Sequence, residues 1–232
     1  MTNTHWEHLV PRNALALLKR SKRVPAKAIR DVAVLFVDIE GCTRLCENLP
    51  LREMNAVRET YFSEYLDVVR VAGGEVTEVL GDGLLALFEG PDLAENVRAA
   101  LTAARRIRAR TAELNRSRRQ HDPIVVNVGL NAGRALTGFT RLRGRSGERW
   151  VYSATGPVTN VAARLVALAS GGQALTTRAT ADIVGCGCRP VGPRVLKNVT
   201  GSIDVVEVLP VEDSGQRATV DVPLAVPSDG GR

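Results

Sequence analysis

The sequence contains no long apolar run and few aromatic residues. A helix that spans a bilayer needs about 20 predominantly apolar residues, and the first residues of the chain lack the apolar core of a secretory signal. Aromatic residues make up 4% of the chain, which is too few for the stacking platforms that hold unpaired bases. These absences predict a soluble, cytoplasmic protein with no membrane or nucleic-acid partner.

Cysteine is also scarce, and its four positions do not form a metal-binding pattern. Cys186 and Cys188 are separated by one glycine, which is too close for a usual zinc pair, and no further ligands lie nearby in the sequence. We interpret all four cysteines, including Cys42 and Cys46, as packing or surface thiols in a reducing compartment.

The charge of the chain is unbalanced, with 31 Lys and Arg residues against 25 Asp and Glu residues and a formal net charge of +6. Much of the excess is arginine in residues 105–119 and 141–149. A basic surface can attract nucleic acid or acidic lipid, but it is equally expected around an enzyme that binds a polyphosphate. A basic nucleic-acid-binding domain therefore stays open as an alternative, and salt-dependent oligonucleotide binding would test it.

The apolar pattern predicts alternating strands and helices. A β-rich run at 32–37 predicts a buried strand that ends in a polar turn at 38–43. Apolar residues spaced three or four apart then predict a helix that stops at Gly73-Gly74. The later predicted elements are a hairpin of strands 75–80 and 84–88, a helix after Pro91, a strand over 124–130, a loop rich in Gly and Arg, a strand over 150–154, a helix from Gly156 to Gly171, and strands over 173–177 and 205–209.

This order predicts an α+β fold. The expected core is a ferredoxin-like βαββαβ unit with helices on one face of the sheet, followed by extra C-terminal strands and a helix. We expect an N-terminal helical or linker segment at 1–30, one folded domain at 31–210, and a disordered tail rich in Ser, Gly and Pro at 211–232.

Two aspartates stand where they could hold a metal ion. Asp38 follows the buried strand, and Asp82 lies at the tip of the hairpin. Ends of neighbouring strands can meet, and Mg²⁺ commonly takes one or two carboxylates together with substrate phosphates. The backbone near Gly41 could offer amide groups to a polyphosphate. Taken singly, each aspartate is equally compatible with a turn residue that satisfies the backbone.

Five motifs follow one another along residues 32–209. They are Phe36-Val-Asp38-Ile39-Glu-Gly41-Cys-Thr43, Leu80-Gly81-Asp82-Gly-Leu-Leu-Ala86-Leu-Phe88, Asn131-Ala-Gly133-Arg134, Gly156-Pro-Val-Thr-Asn160-Val-Ala162-Ala-Arg164-Leu and Leu196-Lys197-Asn198. Together they resemble the motifs of the class III adenylate and guanylate cyclase catalytic domain. The chain departs from the usual pattern at Cys42 and at Pro157, which leaves the activity level open.

The resemblance implies an enzyme that forms a 3′,5′-cyclic nucleotide and pyrophosphate, with residues 31–210 as its catalytic domain. It implies two divalent cations, Mg²⁺ or Mn²⁺, held by Asp38, Asp82 and the backbone carbonyl of Ile39. By the same resemblance, Asn160 positions the ribose and Arg164 stabilises charge that develops on the α-phosphate. Further phosphate contacts are implied for Gly41, Cys42, Thr43, Arg134 and Lys197.

Two positions of the resemblance bear on the purine base. Adenylate cyclases usually place Lys four residues before the second metal aspartate, whereas guanylate cyclases place Glu there, and this chain has Glu78. The partner position is Ser153, whose hydroxyl can both donate and accept and therefore discriminates poorly. We therefore expect GTP to be favoured over ATP. An adenylate cyclase, or an enzyme that accepts both nucleotides, stays open as the alternative.

The resemblance also implies a symmetric homodimer with active sites at the subunit interface. In this family the metal aspartates come from one subunit, and the base-reading residues, Asn and Arg come from its partner. This chain carries both sets. A further alternative is a catalytically weak domain that binds nucleotide and acts as a regulator.

Overall fold

The computed structural model describes residues 11–20, 24, 26–118 and 122–210. Within these residues the chain forms helices and strands in an alternating order. They are α1 (Arg12–Arg20), β1 (Ala28–Ile39), α2 (Cys42–Asn48), α3 (Leu51–Val71), β2 (Glu75–Leu80), β3 (Gly83–Phe88), α4 (Leu93–Ser117), β4 (Val126–Gly144), β5 (Gly147–Thr155), α5 (Pro157–Leu168), β6 (Ala174–Thr177), α6 (Arg178–Asp182), β7 (Cys188–Val195) and β8 (Ser202–Val208).

The strands of the described chain form one sheet in the order β2-β3-β1-β4-β6-β8-β7, and β5 pairs with β4 outside this path. The pairings β2–β3, β3–β1 and β1–β4 are all antiparallel. With α3 and α4 as the two crossovers, this is the βαββαβ order of a ferredoxin-like core. The predicted α+β fold is confirmed, including the additional strands and helix after the core.

Helices cover both faces of the sheet, whereas the sequence analysis expected them on one face. Along β1, Ala33 and Leu35 pack in a core with α3 and α4, while Val32 and Val34 pack in a second core with α1 and α5. Successive residues of a strand point to opposite faces. Because β1 is apolar at every position from 32 to 37, both of its faces need cover.

Helix α5 lies directly on β4 at Gly129. A Cβ at this position would lie 2.9 Å from Val166 Cα, and closer still to Val166 N and Ala162 O. The missing side chain therefore sets how closely the helix approaches the strand. This contact fixes the place of α5 relative to the central sheet.

The expected loop after residue 130 is instead a long hairpin of β4 and β5. The two strands pair from Leu136 opposite Thr155 to Gly144 opposite Gly147. Arg141 forms an ion pair with Glu148, and its guanidinium lies 5.4 Å from the Trp150 ring centroid. The pairing was not predicted because exposed arginine and glycine residues in this segment are typical of a loop. The short elements α2, α6 and β7 were also not predicted.

None of the described helices is long and apolar enough to cross a membrane. Helix α1 lies within the expected N-terminal segment 1–30. The tail at 211–232 lies outside the described residues. The three-segment division of the chain stays a prediction, as does the cytoplasmic location.

Candidate active site

Asp38 and Asp82 lie side by side where β1 ends and β3 begins. Asp38 is paired across the ladder with Gly83, the residue after Asp82. The Ile39 N–H donates a hydrogen bond to the Asp82 carbonyl oxygen at 3.0 Å. Gly83 leaves space for the first carboxylate, because a Cβ there would lie 3.4 Å from Asp38 Oδ1 and 2.9 Å from Val37 O. The two strand ends therefore bring the carboxylates together, as the sequence analysis expected.

The electrostatics of this pair favour a bound cation. Burial, and then the negative charge of Asp82, raise the pKa of the Asp38 carboxyl to about 6. Within the described part of the chain, no ion pair or side-chain hydrogen bond compensates either carboxylate. Two acidic groups without a protein counter-ion fit a hard divalent cation, which prefers oxygen ligands.

The protein supplies only part of a coordination shell here. Among the described residues, no group of three or more His, Cys, Asp or Glu side chains could hold a metal ion. Mg²⁺ usually keeps several waters and binds through one or two carboxylates plus substrate phosphates. The donor set of Asp38, Asp82 and the nearby backbone therefore suits a cation that arrives with a nucleotide.

The turn after β1 places the first backbone amides of α2 beside these carboxylates. Gly41 has φ of 67° and caps α2, a backbone conformation that glycine adopts without strain. The first N–H groups of a helix have no acceptor within it. Burial raises the pKa of the Cys42 thiol to about 11, assisted by a hydrogen bond with Cys46 and by both aspartates. Cys42 is therefore a neutral neighbour, and the side chain of Thr43 lies outside the described residues.

A hydrogen-bond network that the sequence analysis missed supports this turn. Glu40 Oε2 accepts from Asn127 Nδ2 at 2.9 Å and from the Gly171 N–H at 2.6 Å. Asn127 Oδ1 in turn accepts from the Gly172 N–H at 3.0 Å. The network ties the turn beside Asp38 to the loop that follows α5. One sequence alone gives no signal for contacts that join residues this far apart along the chain.

The predicted base-reading residues do not converge within one chain. Glu78 of β2 pairs with Leu85 of β3, and Leu85 packs in the core shared with α1 and α5. Glu78 therefore lies on the face of the sheet that α1 and α5 cover. Ser153 lies between Tyr152 and Ala154, which both point into that same core. Side chains alternate along a strand, so Ser153 faces the other side, where its Oγ lies 3.4 Å from Thr140 Oγ1.

Asn160 and Arg164 lie one turn apart on α5, without a side-chain hydrogen bond or ion pair to the described residues. Asn160 is exposed and Arg164 is half-buried. At the start of α5, a Cβ on Gly156 would lie 3.7 Å from the Ala135 Cα. The first turn of α5 therefore lies beside that part of β4.

Arg134 lies far from the aspartates. It pairs with Asp31 of β1, whereas Asp38 pairs with Asn127. Seven residues of strand separate the two pairings, or about 23 Å at ~3.3 Å per residue. Lys197 is exposed and follows β7, which lies four strands from β1. At ~4.8 Å per strand, this is about 19 Å. The chain brings Asp38, Asp82, Ile39, Gly41 and Cys42 together, but it does not bring Arg134 or Lys197 to them.

Comparison with known proteins identifies the family of this fold and site. The family of adenylate and guanylate cyclase catalytic domains matches residues 24–201. The chain belongs to this family. The match covers all five motifs identified in the sequence and confirms the resemblance.

The similar curated proteins are longer than this chain. An uncharacterized protein of Mycobacterium tuberculosis is 32% identical over 161 residues, which cover 69% of this chain and 27% of that protein. A second uncharacterized protein of the same species is 30% identical over 161 residues, covering 69% of this chain and 28% of its own length. The matched region thus spans about a quarter of these relatives.

Solved structures share the fold at low sequence identity. The adenylyl cyclase CyaB from P. aeruginosa superposes with a TM-score of 0.75 at 21% identity, covering 81% of this chain and 98% of that one. The guanylyl cyclase Cya2 gives a TM-score of 0.72 at 24% identity, covering 82% and 98%. The guanylate cyclase domain of RhGC from Catenaria anguillulae, solved with GTP, superposes with a TM-score of 0.69 at 19% identity. The match covers 79% of this chain and 98% of that one.

Proposed function

We propose that this chain is a nucleotidyl cyclase that converts a nucleoside triphosphate into a 3′,5′-cyclic nucleotide and pyrophosphate. The observation that carries the proposal is the paired Asp38 and Asp82, which lie at adjoining strand ends and which no cationic side chain of the described residues compensates. Membership of the cyclase family supports a metal-binding role for this pair of carboxylates. A domain that only held its fold together would gain nothing from two uncompensated carboxylates at this position.

In the proposed reaction the ribose 3′-oxygen attacks the α-phosphorus, the bond to the pyrophosphate breaks, and the hydroxyl proton is lost. Asp38, Asp82 and the Ile39 carbonyl hold Mg²⁺ or Mn²⁺, which when bound neutralises phosphate charge and acidifies the 3′-hydroxyl. The backbone amides at Gly41 to Thr43 bind phosphate oxygens. Arg164 stabilises charge on the α-phosphate, and Asn160 orients the ribose.

We propose that each site is completed by a second copy of the chain. Arg134 lies about 23 Å along the strands from Asp38, and Lys197 lies about 19 Å away across the sheet. A two-fold dimer can place these residues opposite the metal-binding end of the partner. Asn160 and Arg164, whose side chains make no hydrogen bond or ion pair within the part of the chain that the structure describes, are then available to the substrate bound at the partner's aspartates.

We propose GTP as the favoured substrate on the basis of Glu78. Guanine presents N1–H and a 2-amino group as donors, and an ionised carboxylate only accepts. At the positions of guanine N1–H and its 2-amino group, adenine presents the N1 acceptor and a C2–H, and a carboxylate placed there would stay unpaired, which is costly for a desolvated group. An enzyme that uses ATP, or both nucleotides, is the alternative, because Ser153 can pair with either base. Substitution of Glu78 by Lys is expected to reduce GTP turnover relative to ATP turnover, and an unchanged ratio would refute the assignment.

The activity is tested by incubating purified protein with GTP or ATP and Mn²⁺ and measuring cyclic nucleotide and pyrophosphate. The wild-type chain is expected to form both products in equal amounts. Asp38→Asn keeps the shape of the side chain but removes its charge, and it is expected to abolish turnover. Glu47→Gln, on the exposed face of α2, is the matched control. Undiminished product from Asp38→Asn would contradict the proposal, and nucleotide binding without turnover by the wild type would instead favour a regulatory domain.

A further inference from the structure

The turn between α6 and β7 brings two cysteines into contact. Cys188 Sγ donates a hydrogen bond to Cys186 Sγ, with the sulfur atoms 3.0 Å apart. A disulfide bond is about 2.05 Å long, so the sulfur atoms need to move by only about 1 Å to bond. From the sequence alone these residues are interpreted as packing or surface thiols, but packing does not require their sulfur atoms to meet.

Cys186 is placed to act as the attacking sulfur. The Arg105 Nη2 donates a hydrogen bond to Cys186 Sγ at 3.3 Å. A neighbouring guanidinium stabilises a thiolate, which is the nucleophilic form of cysteine. Burial, with the hydrogen bond to Cys186, raises the pKa of the Cys188 thiol to about 12. The two sulfur atoms therefore differ, because Cys186 Sγ lies against a guanidinium, whereas Cys188 keeps its proton.

The local backbone leaves room for the reaction. Gly185 has φ of 61° and forms the turn, and a Cβ on either Gly185 or Gly187 would meet nothing within 4 Å. Both cysteines are partly exposed, and β7 forms an edge of the sheet. A small oxidant can therefore reach the pair from solvent.

We propose that Cys186 and Cys188 form a reversible dithiol–disulfide site that is oxidised by a low-molecular-weight disulfide. The Cys186 thiolate attacks one sulfur of that disulfide and releases the other as a thiolate. Cys188 then loses its proton and attacks the Cys186 sulfur, which forms the Cys186–Cys188 bond and releases the second thiol. The protein loses two electrons and two protons, and the oxidant is reduced to two thiols. This proposal does not depend on the cyclase activity.

The loop closed by this bond contains a single glycine, so the bond gains little from restricting the unfolded chain. Weakly stabilised or strained disulfides have more oxidising potentials and are readily reduced again. We therefore expect the pair to respond to the thiol–disulfide balance of its surroundings, and not to act as a permanent cross-link.

The test equilibrates the folded protein with reduced and oxidised glutathione, blocks free thiols with iodoacetamide, and analyses tryptic peptides by mass spectrometry. Trypsin does not cut the Arg189–Pro190 bond, so both cysteines fall in one peptide, 179–194. Cys42 and Cys46 fall in separate peptides, 31–44 and 45–52, so that a bond between them would join two peptides and is distinguished by mass. As oxidised glutathione increases, we expect peptide 179–194 to appear without alkylation and with a mass about 2 Da below that of its free dithiol form. On reduction it should return to the alkylated form.

Variants assign the roles of the two sulfur atoms. Cys188→Ser is expected to trap glutathione on Cys186, while Cys186→Ser leaves Cys188 about tenfold less reactive. In the Cys188→Ser background, Arg105→Gln is expected to slow alkylation of Cys186 severalfold, whereas Arg106→Gln, on an exposed position of α4, does not. Absence of the lighter peptide at any glutathione ratio would overturn the proposal. Equal reactivity of the two single-serine variants would overturn the assignment of Cys186 as the attacking sulfur.

Discussion

Substitution of Gly129 by Ala tests how the fold positions the helix that carries Asn160 and Arg164. The added Cβ would lie 2.9 Å from Val166 Cα, with the Val166 nitrogen and the Ala162 oxygen closer still. All three are backbone atoms, so no side chain can rotate away. Ordinary carbon contacts begin near 3.5 Å, and α5 must therefore move outward by roughly 1 Å.

The cost of this movement follows from two effects. Overpacking a close-packed core typically costs about 1–3 kcal/mol, and this site is at the upper end because only backbone surrounds it. A displacement of about 1 Å in a positioned catalytic group can lower the rate about 100-fold. We therefore expect Gly129→Ala to lose about 3 kcal/mol in the free energy of unfolding, and to lose cyclase activity well beyond the unfolded fraction.

Urea unfolding followed by circular dichroism gives the stability, and cyclic nucleotide formation at a temperature where the variant is folded gives the activity. Gly144→Ala is the matched control, since the nearest atom to its added Cβ is 3.9 Å away in the exposed hairpin. The reasoning would be refuted if Gly129→Ala unfolded within about 0.5 kcal/mol of the wild type and kept its activity.

Three further results are expected. Mn²⁺ at about 100 times its dissociation constant should stabilise the wild type by about 2.7 kcal/mol in thermal unfolding, and an equal shift in Asp38→Asn would place the cation elsewhere. Glu40→Ala should lose about 1 kcal/mol in urea unfolding because the Asn127 side-chain amide and the Gly171 N–H lose their acceptor, whereas no loss relative to Glu47→Ala would make the network unimportant. The Arg110 hydrogen bond lowers the pKa of Glu64, so its contribution is present above the ordinary pKa of 4.5 and disappears as the pH falls through the lower folded value. The unfolding free energies of the wild type and Glu64→Gln should therefore converge as the pH falls below the folded pKa of Glu64, and a constant difference would argue against an ionic contribution.

The elements that the sequence predicted are those whose signals are local. The apolar run at 32–37, the helix that stops at Gly73 and the hairpin around Asp82 each carry their own pattern of burial and turn residues, and all three are found in the structure. The meeting of Asp38 and Asp82 was predictable for the same reason, because one lies at the end of a strand and the other at the tip of the adjacent hairpin.

The elements that the sequence did not predict depend on distant partners. The β4–β5 hairpin is held by cross-strand pairs such as Arg141 with Glu148, and each of these residues alone is typical of a loop. In the sequence, Gly129 is only a residue that disfavours a strand. Its role in the close approach of α5 is visible only in the folded structure. The hydrogen bonds of Glu40 and the contact between Cys186 and Cys188 likewise depend on how the chain folds, which a single sequence does not reveal.

The most direct test of the central claim mixes two inactive variants, Asp38→Asn and Arg164→Ala. If each active site takes its carboxylates from one subunit and its arginine from the other, a mixed dimer contains one intact site. Random exchange of equal amounts would then restore about a quarter of wild-type cyclase activity, since half of the dimers are mixed and each has one of two sites. Activity that stays at the level of the separate variants after confirmed subunit exchange would contradict a site shared between subunits.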